Sequence, residues 1–199
     1  MNLEEYPITL TLKDGKHVTI RPMTAADGAA LLEFFRSLPE EDRQFLREDV
    51  TQQEVVDRFV TNLDYDTVLP LLAIHEGNVV GDATLHRTHR GWSSHVGAIR
   101  IVVARAFQRN GLGTTLAKYL VRHAISVGLD KMVGEVIDNQ VGARRAFERL
   151  GFHPEAVLKG HVKDIHGMKR DLVILANDVS HIWEKMEAMV ADFSPTFDG

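Results

Sequence analysis

The 199-residue sequence contains no cysteine. This absence excludes disulfide bonds, a cysteine nucleophile and every zinc site that needs thiolate ligands. Such a composition suits a reducing compartment, so we expect a cytoplasmic protein. Ten histidines are present, but the close pairs His86/His89 and His161/His166 have no carboxylate at a metal-binding spacing. We therefore expect no metal site.

The chain also lacks an excess of positive charge and a long apolar run. Its formal net charge of −5 does not give the broad basic surface of a nucleic-acid-binding protein, so any anion site must be local. No stretch approaches the ~20 apolar residues of a membrane span, and the acidic N-terminus does not resemble a signal peptide. We expect neither nucleic acid nor membrane as a partner.

What the chain does contain is a series of short strands and amphipathic helices. β-rich runs at residues 8–12 and 18–21 flank Asp14-Gly15, which predicts a two-residue hairpin turn. Two helices follow, one capped by Thr24 and one opened by a capping box at residues 51–54. Further strands are predicted at 69–75, 79–87, 95–103, 131–137 and 168–176, with helices near 111–127 and 140–150. This order predicts one mixed α/β (α+β) domain.

The last residues form a separate amphipathic pattern, which predicts a C-terminal helix and tail at 179–199 behind a domain at 1–178. Its apolar positions are Val179, Ile182, Trp183, Met186, Met189, Val190 and Phe193. The helix either caps the same core or forms a homodimer with a second copy.

The most informative segment runs from residue 101 to 114. The apolar end of the 95–103 strand leads through a loop with Gly111 and Gly113 directly into a helix. Glycines allow the backbone to approach a bulky anion, and the helix start offers unpaired N–H groups and the positive end of the dipole. Arg105 and Arg109 add cations. The segment indicates a site where backbone donors hold a pyrophosphate.

Two other interpretations of this segment compete with that one. The glycines are also compatible with a tight strand-to-helix turn and no ligand. A dinucleotide-binding Rossmann fold would need a third glycine where Leu116 stands, and would place the motif in the first strand–helix unit rather than past mid-chain.

At this point the sequence resembles the GNAT superfamily of N-acetyltransferases. The acetyl-CoA signature of that family, Q/R-x-x-G-x-G/A, is matched by Gln108-Arg109-Asn110-Gly111-Leu112-Gly113. A second family block, an asparagine before a helix that ends in Leu-Gly-Phe, is matched by Asn139 and by Leu150-Gly151-Phe152. The resemblance covers about residues 74–176. It implies a mostly antiparallel sheet with a V-shaped splay between two parallel strands, and transfer of an acetyl group from acetyl-CoA to an amine in a ternary complex.

The resemblance also implies roles for particular residues. The pantetheine arm of the cofactor would lie between the 95–103 and 131–137 strands, and the N–H of Ile101 or its neighbour would stabilise the oxyanion of the thioester. Asn139 would contact the pantetheine, order the neighbouring loop or simply N-cap the next helix. The full set of expected cofactor-binding residues is Ile101, Val102, Val103, Gln108, Arg109, Asn110, Gly111, Leu112, Gly113, Thr114, Asn139 and Phe147.

The catalytic residues depart from the family pattern. Many members carry a glutamate base on the strand before the cofactor loop, but residues 95–100 contain no acid. Glu135, Asp138 and His95 are the candidate replacements. Phe147 stands where many members have a tyrosine that protonates the leaving thiolate. These losses support a second hypothesis, a non-catalytic acyl-CoA-binding sensor or interaction module.

The amine substrate is left open by the sequence, with a small molecule, a protein lysine and a protein N-terminus all compatible. An acidic segment could attract a cationic amine or could simply be a solvated loop. Its residues are Glu40, Glu41, Asp42, Glu48 and Asp49.

Overall fold

A computed structural model describes residues 5–43, 46 and 48–191, and for residues 186 and 189–191 it describes the backbone alone. The strands are β1 Ile8–Thr11, β2 His17–Pro22, β3 Val68–His75, β4 Asn78–Arg87, β5 Val96–Val103, β6 Lys131–Ile137, β7 His153–Lys163 and β8 Lys169–Asp178. The helices are α1 Gly28–Ser37, α2 Glu40–Arg43, α3 Gln53–Thr61, α4 Leu112–Ser126, α5 Val141–Arg149 and α6 Val179–Ala191.

The strands form one sheet in the order β1-β2-β3-β4-β5-β6-β8-β7. Neighbours are antiparallel except β5 and β6, which run parallel. The β5–β6 ladder ends at the pair Ile99–Gly134, whereas β5 stays paired with β4 up to Val103 and β6 stays paired with β8 up to Ile137. The two strands therefore separate into a V-shaped opening, and the predicted fold class is confirmed.

The two faces of the sheet carry different helices because side chains alternate along each strand. On the first face, α4 packs against β4 and β5, and its fully buried Leu116 and Leu120 share a core with Leu85 and Ile99. On the second face, α1 and α3 form a separate apolar cluster that includes Leu72 of β3. We call these the α4 face and the α1 face.

Two local predictions differ from the structure. The hairpin loop has three residues rather than two, because Leu12 and Lys16 still pair and Gly15 adopts a left-handed φ of 85°. The predicted capping box at α3 is wrong. Thr51 instead donates its N–H and hydroxyl to Asp49, at 3.1 and 2.6 Å, and the helix begins after Gln52. Because Thr51 bonds to the carboxylate of Asp49, its side chain is not available to cap the helix.

The end of the chain contains one strand that the periodicity did not predict. β7 lies at the edge of the sheet and is mostly exposed, so it lacks the alternating apolar pattern of a half-buried strand. The following α6 packs on α4, with Val179 and Ile182 buried in the α4-face core. The helix thus covers the same core in this chain, while the homodimer and the domain division at residue 178 stay predictions. Phe193 lies outside the described residues.

Candidate active site

One backbone N–H group of β5 points into the opening between β5 and β6. Ala104 donates its N–H to Val80 on β4 at 3.0 Å, and alternate residues of an antiparallel pair bond in the same direction. Residues 102 and 100 therefore also face β4, while Ile101 and Val103 face β6. Since the ladder with β6 has already ended at Ile99, the N–H of Ile101 points into the opening.

Two glutamine side chains complete the backbone hydrogen bonding above the opening. Gln108 donates its Nε2–H to the carbonyl of Val103 at 2.9 Å. Gln140 accepts the N–H of Ile137 through Oε1 at 2.9 Å. Both bonds replace ladder bonds that the diverging strands cannot make. Sequence reasoning missed Gln140, and it is this residue, not Asn139, that occupies the N-cap position of α5.

An aromatic ring lies on the α4 face at the point where the two strands begin to separate. Phe147 of α5 lies over Gly134 of β6, and a Cβ at Gly134 would come within 2.5 Å of the ring. The ring also meets Phe152 edge-on, with centroids 5.1 Å apart. Glu135 and Ala98, whose side chains lie on the opposite face, are exposed. The α1 face of the sheet is therefore accessible to solvent beside the opening.

The loop after β5 has the geometry of an anion site. Arg109 and Gly111 both adopt left-handed conformations, with φ of 62° and 98°. Left-handed residues interspersed with ordinary ones turn successive N–H groups towards a common point. α4 starts directly behind them, so the N–H groups of Gly113 and the exposed Thr114 in its first turn have no acceptor within the helix. These donors can hold an anion such as a pyrophosphate.

Asn110 serves the loop in a different way from the one expected. Its side chain is buried, accepting the N–H of Leu112 at 3.3 Å and donating to Asp14 at 3.3 Å. Its carbonyl accepts the N–H of Lys13 at 3.3 Å. Asn110 therefore ties the loop to the tip of the β1–β2 hairpin, and the N–H of Leu112 is already occupied. The side chain of Lys13 also passes close to Gly111.

The two arginines of the loop are in different situations. Arg105 forms a two-point ion pair with Asp42 of α2, at 3.0 and 3.2 Å, with Glu41 at 3.6 Å. Its hydrogen bond to Asp42 raises the pKa of Arg105. Arg109 is exposed and has no ion-pair partner among the residues described. Of the two cations expected beside the anion, Arg109 is the one available to it.

The acidic segment expected to attract an amine is largely engaged. Glu41 and Asp42 hold Arg105, and Glu48 pairs with Arg58. Asp49 accepts hydrogen bonds from Thr51 and Gln52, and these bonds lower its pKa. Most of these carboxylates act within the protein.

The three candidate bases lie in very different places. His95 precedes β5 at the end remote from the opening, six residues or about 20 Å from Ile101. Asp138 lies beyond β6 on the side of β8, where its carboxylate accepts the N–H of Asp171 at 3.4 Å. Glu135 is exposed on the α1 face, and continuing the β5–β6 register places it opposite Arg100. Only Glu135 of the three borders the opening.

A fourth acid was missed by sequence reasoning. Asp82 of β4 lies between Leu72 of β3 and Val102 of β5 in the sheet register. Its Oδ1 is shielded from solvent and has no hydrogen-bond partner among the described residues. Burial raises the pKa of Asp82 to about 7, against the smaller opposing effect of a hydrogen bond with Thr84. The sequence feature that could have revealed Asp82 is an acidic residue inside the mostly apolar strand at 79–85.

The described residues contain no group of three or more His, Cys, Asp or Glu side chains able to hold a metal ion. Within the same residues, the helices are all too short or too polar to cross a membrane.

Comparison with known proteins agrees with this geometry. Residues 31–152, more than half of the chain, match the Acetyltransferase (GNAT) family. The chain therefore belongs to the GNAT family of acetyltransferases, and the predicted enzyme class, an acyltransferase, is confirmed. Members of the family use acetyl-CoA.

Solved structures of this family share the fold. Mycobacterium smegmatis RimJ, in complex with CoA-disulfide, is 20% identical with a TM-score of 0.72, over 93% of this chain and 96% of that one. A GNAT-family acetyltransferase from Streptococcus pneumoniae is 22% identical with a TM-score of 0.71, over 81% and 99%. The ribosomal-protein-alanine N-acetyltransferase of Brucella melitensis is 23% identical with a TM-score of 0.69, over 80% and 98%.

Proposed function

We propose that this acetyltransferase moves the acetyl group of acetyl-CoA to a primary amine by direct attack in a ternary complex, in the cytoplasm. The amine belongs to a small molecule, a protein lysine or a protein N-terminus. The observation that carries the proposal is the N–H of Ile101, which points into the opening between β5 and β6 just before the anion-binding loop.

The protein holds its co-substrate mainly with backbone groups. The N–H groups of Arg109, Gly111, Gly113 and Thr114 bind the pyrophosphate, with Arg109 adding a cation. The N–H of Val103 faces the opening and pairs with the pantetheine amides, while its carbonyl already accepts the Nε2–H of Gln108. Phe147 supplies an apolar wall beside this arm. Binding through backbone groups explains why so few polar side chains mark the site.

The reaction requires a hydrogen-bond donor for the developing oxyanion, an acceptor for the proton of the amine, and a way for the CoA thiolate to leave. The amine nitrogen bonds to the acetyl carbon, the carbon–sulfur bond breaks, and the CoA thiolate leaves. Ile101 donates its N–H to the carbonyl oxygen as negative charge develops there, an interaction worth about 10²–10³ in rate in other enzymes. The ring of Phe147 has no proton to give, so the leaving thiolate is protonated by water or, by way of the base that first accepts it, by the proton released from the amine.

Binding and turnover together test this proposal. Isothermal titration calorimetry should show one acetyl-CoA per chain, and a panel of small amines, peptides and proteins should reveal thiol release by at least one of them. Gly111→Val should abolish binding, since valine is excluded from a left-handed φ of 98°. The exposed Gly142→Ala variant is the matched control. No heat with acetyl-CoA would disprove the assignment.

A second function is favoured by the ring of Phe147 and by the absence of an acid on β5. In this alternative the chain binds acyl-CoA without transferring it and signals to a partner. Acetyl-CoA binding without thiol release from any member of the panel, combined with a change in sedimentation coefficient on titration, would support the sensor and contradict the enzyme.

A further inference from the structure

We propose that Asp82 is the group that takes the proton from the incoming amine, acting through one water molecule. This inference rests on the proposed function and names the base that the sequence did not supply. It places the base on β4, the neighbour of the strand that carries Ile101.

The alternation of β4 places Asp82 on the correct face. Leu85 and Ala83 are buried in the α4-face core, and a Cβ at Gly81 would meet Leu116 of α4. Asp82 therefore points to the α1 face, which is accessible to solvent beside the opening. Its partner in the register is Val102, the residue that follows Ile101. The opening begins on the far side of β5, one strand spacing (~4.8 Å) from Asp82, and a carboxylate with one water bridges that distance.

The surroundings of Asp82 are those of a functional acid. Leu72 and Val102, its neighbours on both sides, belong to the apolar cluster under α1. A buried carboxylate oxygen is normally hydrogen-bonded, so an orphaned Oδ1 calls for an explanation. The residue as a whole is only partly buried, so water can reach it. A carboxyl that titrates near neutral pH is an efficient proton acceptor at that pH.

Burial, rather than any nearby charged group, is the main cause of the raised pKa of Asp82. On the same face lie Arg100, diagonal to it on β5, and His86 further along β4. Arg21 of β2 is held by Asp27 at 2.7 and 2.6 Å. The charged side chains of α1 and α3 are exposed, namely Glu33, Arg36, Glu54, Asp57 and Arg58.

The first test needs no substrate and no variant. Carbon-13 NMR of the aspartate carboxyl groups in the wild-type protein follows the titration of Asp82 directly, with through-bond assignment. We expect a midpoint near pH 7. A midpoint near the ordinary value of about 4 would overturn the inference.

The second test separates Asp82 from its rival Glu135. The acceptor is an aromatic amine or hydrazide with a pKa below about 6, so that a rise of kcat near pH 7 belongs to the enzyme. We expect Asp82→Asn to lose this rise and to lower kcat about 100-fold, with the acetyl-CoA dissociation constant changed less than threefold. Asp82→Glu should recover part of the activity. Glu135→Gln should keep the pH profile.

The results distinguish this inference from the proposed function. A pH profile retained in Asp82→Asn but lost in Glu135→Gln would overturn the assignment of Asp82 alone. Wild-type protein that releases no thiol with any amine would overturn the proposed function and this inference with it.

Discussion

Phe147 and Gly134 are in contact without room for a methyl group between them. A Cβ built on Gly134 would lie 2.5 Å from Cε1 of the ring and 2.8 Å from Cζ. Gly134 is also the last residue of β6 that pairs with β5. The contact therefore docks α5 on the sheet at the point where the two strands separate.

Gly134→Ala should destabilise the protein by about 1–3 kcal/mol, because the ring and its helix must move to admit the methyl group. Acetyl-CoA should also bind more weakly, since the same ring lines the opening. Urea unfolding and calorimetry measure the two effects. The Gly134→Ala/Phe147→Leu double variant should recover most of the stability. If the losses of the two single variants simply add in the double variant, the contact between Gly134 and Phe147 is not the cause of the destabilisation.

Gly111→Ala and Gly113→Ala should behave differently although both glycines belong to one motif. Gly111 has a φ of 98°, so alanine there costs about 1–2 kcal/mol and distorts the loop. Gly113 lies in the first turn of α4 with ordinary helical backbone angles. A Cβ added there would lie 3.8 Å from the side chain of Val103, which is an ordinary van der Waals distance. We expect the acetyl-CoA dissociation constant to rise at least tenfold for the first variant and less than threefold for the second. Equal effects would contradict the role assigned to backbone conformation.

Asn110→Ala should weaken both the fold and cofactor binding. The change releases the N–H of Leu112 and breaks the side-chain bond to Asp14. Loss of these bonds should cost about 1–2 kcal/mol in the free energy of unfolding, and the loosened loop should bind acetyl-CoA several-fold less tightly. Asn78→Ala, at the exposed first residue of β4, is the control. Unchanged binding by Asn110→Ala would mean that the hairpin does not order the loop.

The ion pair of Arg21 and Asp27 should make stability depend on pH in the acid range. Asp27 is buried, and the guanidinium of Arg21 together with bonds from Thr24 holds the pKa of Asp27 at about 2. The pKa in the unfolded chain is about 3.9, so the stabilisation is complete above about pH 4 and is lost as the pH falls towards 2. A shift of this size is worth about 2.5 kcal/mol.

Urea unfolding at several pH values tests this dependence. Asp27→Asn should be less stable than the wild type by a few kcal/mol at pH 7, and the difference should shrink near pH 2. Glu48→Gln, which removes an exposed ion pair with Arg58, should change stability by less than about 0.5 kcal/mol. A constant difference between the wild type and Asp27→Asn across the acid range would refute the assignment.

Much of the cofactor site could be predicted from the sequence because its parts are adjacent in the chain. An apolar strand end, two glycines and a helix start follow one another, and hydrogen bonding within such a segment depends on its own backbone. The strands predicted at 69–75 and 131–137 are likewise close to those observed, at Val68–His75 and Lys131–Ile137. The edge strand β7 was not predicted because exposure on both faces removes the alternating apolar pattern that indicates a strand.

The sequence by itself therefore determined the enzyme family and the stretch of backbone suited to an anion. Only the tertiary structure decided which acids lie near the opening. In the folded protein His95 lies at the end of β5 far from the opening, and Asp82 lies beside Val102, twenty positions away in the chain. Strand register and sheet face depend on how distant segments pack together, and no local pattern encodes them.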